Sequence, residues 1–402
     1  MEAGIYIHIP FCVRKCLYCD FVSGIGSMES MQRYQNALIS EIESTVISDT
    51  VDSVFFGGGT PSVYPVEYIE EIMKLLYKKF NMVKNVCEIT IECNPGTLDI
   101  NKLERYKKAG INRLSMGLQS ADNGELKTLG RIHTYEEFEQ SFIMARKTGF
   151  TNINIDIMSA IPKQSMTSYK NTLNKVVSLK PEHISAYSLI IEEGTAFYNR
   201  YGKGKEGEAD LPDEDTDREM YHFTKSFLKE NGYARYEISN YAKEGMECRH
   251  NLKYWSRNNY YGFGLSASSL SENVRYTNVS DMNKYISAME GVKSDNSIEY
   301  SGIMNDNKDM TAYMMKNKFR ETYEKVDING QMEEFMFLGL RKIKGVSIKE
   351  FEDTFGASIY NVYGNILNKM CENKLMEYTE EYYRLSDKGI DVSNVVLAEF
   401  LL

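Results

Sequence analysis

Six times between residues 5 and 189, a short run of β-branched and apolar residues gives way to a longer stretch of helical periodicity. The strand-like runs lie at 5–9, 54–56, 88–93, 113–117, 153–158 and 183–189. Helix-like stretches between them include 31–47, 66–80, 135–148 and 168–179. This repeated change of period predicts parallel strands joined by helical crossovers, an α/β fold. Both an open doubly wound sheet and a partial barrel satisfy it; six units fall short of the eight that close a full barrel. In either, the C-terminal ends of the strands gather on one face, where ligands bind.

Polar residues collect at those ends. The first strand runs into His8-Ile9-Pro10-Phe11-Cys12 and the second into Gly57-Gly58-Gly59-Thr60-Pro61. The third ends in Glu92-Cys93-Asn94-Pro95, the fourth in Gly117-Leu118-Gln119-Ser120, and the fifth carries Asp156 inside an apolar run. The chemistry is expected at one mouth.

Composition narrows the partners. Lys and Arg number 47 against 57 Asp and Glu, a formal charge of −10 over 402 residues. Bulk electrostatics of that sign disfavour nucleic acid, whose phosphates each need a local cation. No run approaches the ~20 apolar residues of a transmembrane helix. Residues 1–10 lack the basic start and cleavage site of a signal peptide, so the expectation is cytoplasmic.

Past the sixth unit, 199–217 reads as an exposed connector and 214–230 as a helix; 236–269 is dense in Tyr, Gly and Asn. The tail predicts helices at 331–343, 348–355 and 359–373, then strands at 375–378 and 382–385 around Thr379-Glu380-Glu381. That is a winged-helix pattern. Over 327–402 it carries 8 basic and 13 acidic residues, net 8 − 13 = −5, opposite to a DNA reader. The domain reading is 1–200, 201–298 and 299–402.

Three of the 7 cysteines, Cys12, Cys16 and Cys19, form C-x3-C-x2-C directly after the first strand. In a reducing compartment such spacing points to metal. Three thiolates can hold a four-iron cubane with one iron left for an exogenous ligand. A zinc knuckle completed by His8 is the other reading. Cys87, Cys93 and Cys371 read as small buried hydrophobes.

Cys12-x3-Cys16-x2-Cys19 after a first strand resembles the signature of the radical S-adenosylmethionine (SAM) superfamily. The string Tyr6-Ile7-His8-Ile9-Pro10-Phe11-Cys12 resembles its oxygen-independent coproporphyrinogen III oxidase-like branch. So do GGGTPS (57–62), IECNPGT (91–97), RLSMGLQS (113–120), LGRIH (129–133) and IPKQ (161–164). The resemblance spans about residues 4–270 and resumes at 333–345. It implies a partial (β/α)6 radical SAM barrel, then an α+β extension and a C-terminal winged-helix-like module. It also implies a [4Fe-4S] cluster on Cys12, Cys16 and Cys19 whose free iron chelates SAM, and a low-potential electron donor. By the same resemblance Tyr6, Tyr18, Gly58, Gly59, Thr60, Glu92, Gln119, Arg131 and Asp156 surround SAM. The glycines are expected to turn backbone N–H groups toward its charged end.

Within the branch, the oxidases carry a fourth cysteine where this chain has Phe21. That departure, and His250-Asn251-Leu252-Lys253-Tyr254-Trp255 as an HNxxYW motif, resemble the HemW-type heme chaperones, which bind heme and pass it to target apoproteins. The resemblance makes His250 the leading axial ligand, with Asn251, Tyr254 and Trp255 beside the macrocycle and Cys248 a second contact. The competing reading is a packing corner with His250 satisfied by local carbonyls. The competing activity is that of a coproporphyrinogen III oxidase working through a 5′-deoxyadenosyl radical in porphyrin biosynthesis. A zinc-stabilised binding protein is the third reading. Ser159-Ala160, Ser268 and the stretch 299–326 depart from the family pattern.

Overall fold

The first six strands alternate polar and apolar residues because one side faces helices and the other faces the barrel interior. In β1 (Glu2–Ile9), Ile5, Ile7 and Ile9 are buried against helices while Tyr6 and His8 take the inner face. In β3 (Glu88–Cys93), Ile89 and Ile91 pack outward and Glu88 and Glu92 inward. With β2 (Thr50–Gly58), β4 (Arg113–Gln119), β5 (Ile153–Ser159) and β6 (His183–Ser188) they form adjacent parallel pairs in chain order. A computed structural model describes residues 2–82, 86–290, 298–299 and 318–402 of this chain.

The crossovers are α1 (Met28–Ser44), α2 (Val66–Lys79), α3 (Ile100–Ala109), α4 (Asn123–Thr128) with α5 (Tyr135–Lys147), and α6 (Met166–Ser178). Their ends follow local chemistry. Ser27 accepts from Ser30 N–H and starts α1 three residues earlier than the apolar period implies. Asp99 caps the start of α3, and Gly110, at φ 101°, closes its end. After β6 come α7 (Ala196–Tyr201) and α8 (Glu214–Glu230), which packs on α6.

The sheet does not close. Beyond β6 lie antiparallel β8 (Asn240–Ala242) and β7 (Ala234–Arg235). Beyond β1 lies a seventh parallel strand, β9 (Tyr260–Phe263), then antiparallel β10 (Ser268–Ser271), β11 (Val274–Asn278) and β12 (Arg320–Lys325). This is an open sheet of twelve strands, a partial barrel with an α+β extension. The short α9 (Arg249–Trp255) precedes β9, and α10 (Met282–Glu290) packs on α1.

The C-terminal unit runs α11 (Ile328–Gly339), β13 (Val346–Ser347), α12 (Ile348–Phe355), α13 (Ile359–Glu372), β14 (Met376–Tyr378) and β15 (Tyr382–Leu385). Its sheet order, β13-β15-β14, is winged-helix topology around a separate apolar cluster that includes Met336, Phe351 and Tyr363. The division expected at 298/299 moves C-terminally, because β12 pairs with β11 and draws 320–325 into the main sheet. Of the stretch 299–326, residues 300–317 lie outside the described residues. Among the described residues no helix is long and apolar enough to cross a membrane.

Candidate functional site: the barrel mouth and its cysteine loop

The cysteine loop is tied to the barrel at several points. Cys12 N–H donates to Gly24 O (2.9 Å), Gly24 N–H to Pro10 O (2.9 Å) and Leu17 N–H to Leu129 O (3.2 Å). His8, on the inner face of β1, bonds Val22 O through Nε2 (2.9 Å) and the Tyr6 hydroxyl through Nδ1 (3.1 Å). Both its nitrogens are therefore engaged, and His8 is not free to complete a zinc site. Among the described residues no three His, Cys, Asp or Glu side chains converge on a single-ion site. A cubane asks for something different: thiolates at separate corners, with donors toward their sulfurs. Those donors are present. Thr60 Oγ1 donates to Cys12 Sγ (3.5 Å) and Arg131 Nη1 to Cys16 Sγ (3.6 Å). The loop's residues fit a thiolate-held cluster.

The glycine turn meets this loop in a way sequence reasoning did not anticipate. Gly59 N–H donates to Ile9 O (2.9 Å) and Thr60 N–H to Phe11 O (2.8 Å), while Gly58 N–H faces the Glu92 carboxylate. The backbone donors thus hold the cysteine loop and an acid, and are not turned outward toward a ligand. Glycine is required at 59 for space: a Cβ would lie 2.9 Å from Phe11 O and 3.0 Å from Ile9 O.

Below the loop the inner face carries two acids. Burial, reinforced by Asp156, pushes the Glu92 carboxyl up to about 8. Asp156 is also raised, by burial, although Asn154 Nδ2 (2.7 Å) and Ser115 Oγ (3.4 Å) donate to it. Two buried acids on one inner wall suit hydroxyl-bearing ligands, since a carboxyl accepts from hydroxyls and, when protonated, donates to them.

Arg131 spans the mouth, donating to Asn94 Oδ1 (2.8 Å) and Gly117 O (2.7 Å) as well as to Cys16. Asn94 in turn donates to Thr60 Oγ1 (2.9 Å). Gln119, in the left-handed region at φ 71°, accepts from Tyr187 OH (3.1 Å). Tyr18 packs edge-on against Phe197 and next to Arg131. The structure therefore gathers Tyr6, Tyr18, Gly58, Gly59, Thr60, Glu92, Gln119, Arg131, Asp156 and the three cysteines at one end. Asn94 and Tyr187 join them without having been singled out as ligand contacts; the Asn-Pro step closing the third strand was the visible signal for Asn94. Ser159 and Ser188 both donate to Asp217 of α8 (3.3 and 2.7 Å), which gives the departure at Ser159 a local partner.

The HNxxYW segment lies at the opposite end. It forms α9, whose first N–H groups, from Arg249 (3.1 Å) and His250 (3.0 Å), sit on the Glu88 carboxylate at the start of β3. His250 is 1% exposed. Its Nδ1 bonds Ser53 Oγ (3.0 Å), its Nε2 bonds Tyr254 OH (2.8 Å), and its ring stacks on Phe55. Burial, with Lys253 and Arg113 nearby, lowers its pKa to about 3. In this geometry both nitrogens of His250 are hydrogen-bonded and the ring plugs the barrel floor, which is the packing-corner arrangement. Its partners are hydroxyls, where the packing-corner reading had carbonyls. From Gly4 beside it to His8 at the mouth is roughly 13 Å of strand rise. Cys248 is buried and its thiol is pushed up to about 12, chiefly by burial. Trp255 lies under the Arg341 guanidinium (4.4 Å), joining α9 to the C-terminal unit, and Asn251 and Tyr254 are half-buried.

Against known proteins, residues 6–176 match the radical SAM superfamily and 329–392 the HemN C-terminal domain. The fold is that of coproporphyrinogen III oxidase (HemN) from Escherichia coli, with a TM-score of 0.81 at 21% identity over 100% of this chain and 90% of that one. Heme chaperone HemW of Bacillus subtilis is 35% identical over 98% of both chains. That of Lactococcus lactis is 34% identical over 99% of this chain and 97% of its own. Identity at this level along nearly the whole of both chains means that the chain belongs to the HemW family of radical SAM heme chaperones.

Proposed function

We propose that this protein holds a [4Fe-4S] cluster on Cys12, Cys16 and Cys19, binds SAM across the barrel mouth, and delivers heme to apoproteins. The observation that carries the cluster site is the pair of donors on the loop thiols, Thr60 to Cys12 and Arg131 to Cys16. When bound, cluster and SAM supply one-electron chemistry with electrons from a low-potential donor. The chain's own residues orient them. Arg131, shared between Cys16 and Asn94, links the cysteine loop to the third strand's end and offers a cation at the mouth. Glu92 and Asp156 face ribose-type hydroxyls from the inner wall, and Tyr18 with Phe197 offers an aromatic wall for adenine.

The second reading, oxidation of coproporphyrinogen III, is favoured by one observation, the full-length likeness of fold to HemN. Phe21, 62% exposed on the loop where the oxidases have a cysteine, weighs against it. Heme-loaded protein mixed with a heme-depleted b-type cytochrome separates the two. Growth of the acceptor's Soret band with matching loss from the donor is the expected result; an acceptor that stays dark contradicts delivery.

A further inference from the structure

The cysteine loop is rooted in the barrel, but its outer face is open. Cys12 is buried on the barrel side, whereas Cys16 and Cys19 are half-buried. A cluster on these three thiolates has two of its corners nearest the solvent. The same loop exposes large apolar side chains: Ile25 is 79% exposed and Met28 64%, and Val13 and Phe21 also stand out. Lys15 Nζ donates to Phe21 O (2.8 Å), which folds residues 15–21 back on themselves over the cysteines. Ile132, exposed as well, shares a narrow space with Val13 and Cys16. Apolar surface gathered in this way on one loop marks an interaction site.

Its charge runs against that of the whole chain. The formal charge is −10, yet residues 12–27 hold two cations, Arg14 and Lys15, against the single acid Asp20. Both cations are exposed, and among the described residues neither is paired with a carboxylate. Unspent cations around an apolar centre, on a molecule otherwise negative, draw an acidic partner to this face and turn it away elsewhere. Position then selects among acidic partners. Electron transfer falls steeply with distance, so a carrier reaches the cluster fastest where Cys16 and Cys19 approach the surface. The face does not suit heme itself: the hollow beside Val13 and Ile132 is about 20 Å³, the room of one water.

We propose that the outer face of the cysteine loop, with Phe21, Ile25 and Met28 at its centre and Arg14 and Lys15 on its rim, docks a small acidic one-electron carrier protein that reduces the cluster. The inference rests on the reading that Cys12, Cys16 and Cys19 hold a [4Fe-4S] cluster. At each encounter one electron passes from the reduced carrier to the cluster; the carrier leaves oxidised by one electron, and no bond is made or broken. Phe21, standing where the oxidases have a cysteine, is a contact to this partner.

The test is anaerobic stopped-flow reduction of the reconstituted full-length protein, followed by bleaching of the cluster's visible absorption. Two reductants are compared: a flavodoxin (a small acidic flavin protein) in its hydroquinone form, and photoreduced 5-deazaflavin, which is small and uncharged. The proteins are wild type, Arg14→Glu and Phe21→Ser, matched for iron content, with Lys15→Gln in place of either variant that fails to hold iron. Arg14→Glu is expected to slow reduction by flavodoxin about tenfold at low salt, a difference that closes at high salt. Phe21→Ser is expected to slow it about tenfold at any salt. Deazaflavin is expected to reduce all of them at one rate. An unchanged flavodoxin rate in the variants would overturn the docking surface. So would equal slowing with both reductants, which would place the change in the cluster, or a wild type that deazaflavin reduces and flavodoxin does not. Sedimentation with anionic lipid vesicles, lost in Phe21→Ser while the flavodoxin rate is kept, would assign the face to a membrane instead. A wild type without cubane iron would overturn the cluster reading itself.

Discussion

Arg131 donates to the sulfur of Cys16 across 3.6 Å, although the two are 115 positions apart in the chain. A guanidinium beside a thiolate favours any state with more negative charge on the attached cluster. Arg131→Met is therefore expected to lower the cluster's reduction potential and the iron retained after reconstitution. Redox titration followed by EPR checks this; an unchanged potential would mean that Arg131 serves the mouth only by packing.

Gly59→Ala places a methyl 2.9 Å from Phe11 O and 3.0 Å from Ile9 O, both backbone atoms that cannot turn aside. The cysteine loop must lift. The expected result is a folded barrel, destabilised by about 1–3 kcal/mol, that no longer reconstitutes a cluster. Circular dichroism melts and iron analysis read the two parts separately. Full iron content would contradict the tight contact of loop and turn.

His250→Ala removes the partner of Ser53 Oγ and Tyr254 OH and leaves a hole beside Phe55. Unsatisfied hydroxyls and lost packing together should cost about 2–4 kcal/mol in urea unfolding at pH 7. A ΔΔG near zero would show that the floor is not built on this ring.

The same residue sets an acid dependence. Held at about 3 in the folded chain against 6.5 when free, His250 binds a proton more readily after unfolding. The unfolded state thus holds more protons between those values, so stability falls as pH drops from about 6.5 toward 3. One such group contributes about 1.4 kcal/mol per pH unit within that window. His133, also held at about 3, adds to the slope. Urea midpoints at pH 7, 5.5 and 4.5 should show a shallower fall for His250→Gln than for wild type; parallel curves would contradict the assignment of the proton.

Glu92 runs the other way. Its carboxyl, raised to about 8 from 4.5, holds a proton that the unfolded chain has lost, so stability falls as pH rises from about 4.5 to 8. In the metal-free protein Glu92→Gln is expected to be more stable than wild type at pH 8 and equal to it near pH 4.5. The same change should weaken SAM binding in the reconstituted protein, which calorimetry would register.

Much of this was legible in the sequence because it is local. The run 88–93 is a strand to the residue, and the helix at 214–230 matches α8, since alternation and periodicity are properties of neighbouring side chains. The cysteine spacing and the polar strand ends pointed to one mouth for the same reason. What was hidden depends on distant pairing. Nothing near Gly57–Gly59 tells that the N–H groups of Gly59 and Thr60 are spent on Ile9 and Phe11. Nothing in the HNxxYW string tells that Ser53, nearly two hundred residues earlier, waits for His250. A motif names the residue types; only the register of β1, β2 and β3 assigns them to mouth or floor.

The most direct measurement is anaerobic reconstitution with iron and sulfide, then hemin titration and a coproporphyrinogen III plus SAM assay on one preparation. The expected result is cubane iron that is lost in Cys12→Ala, Cys16→Ala and Cys19→Ala, stoichiometric heme, and no decarboxylated product. Turnover of coproporphyrinogen III without tight heme binding would contradict it.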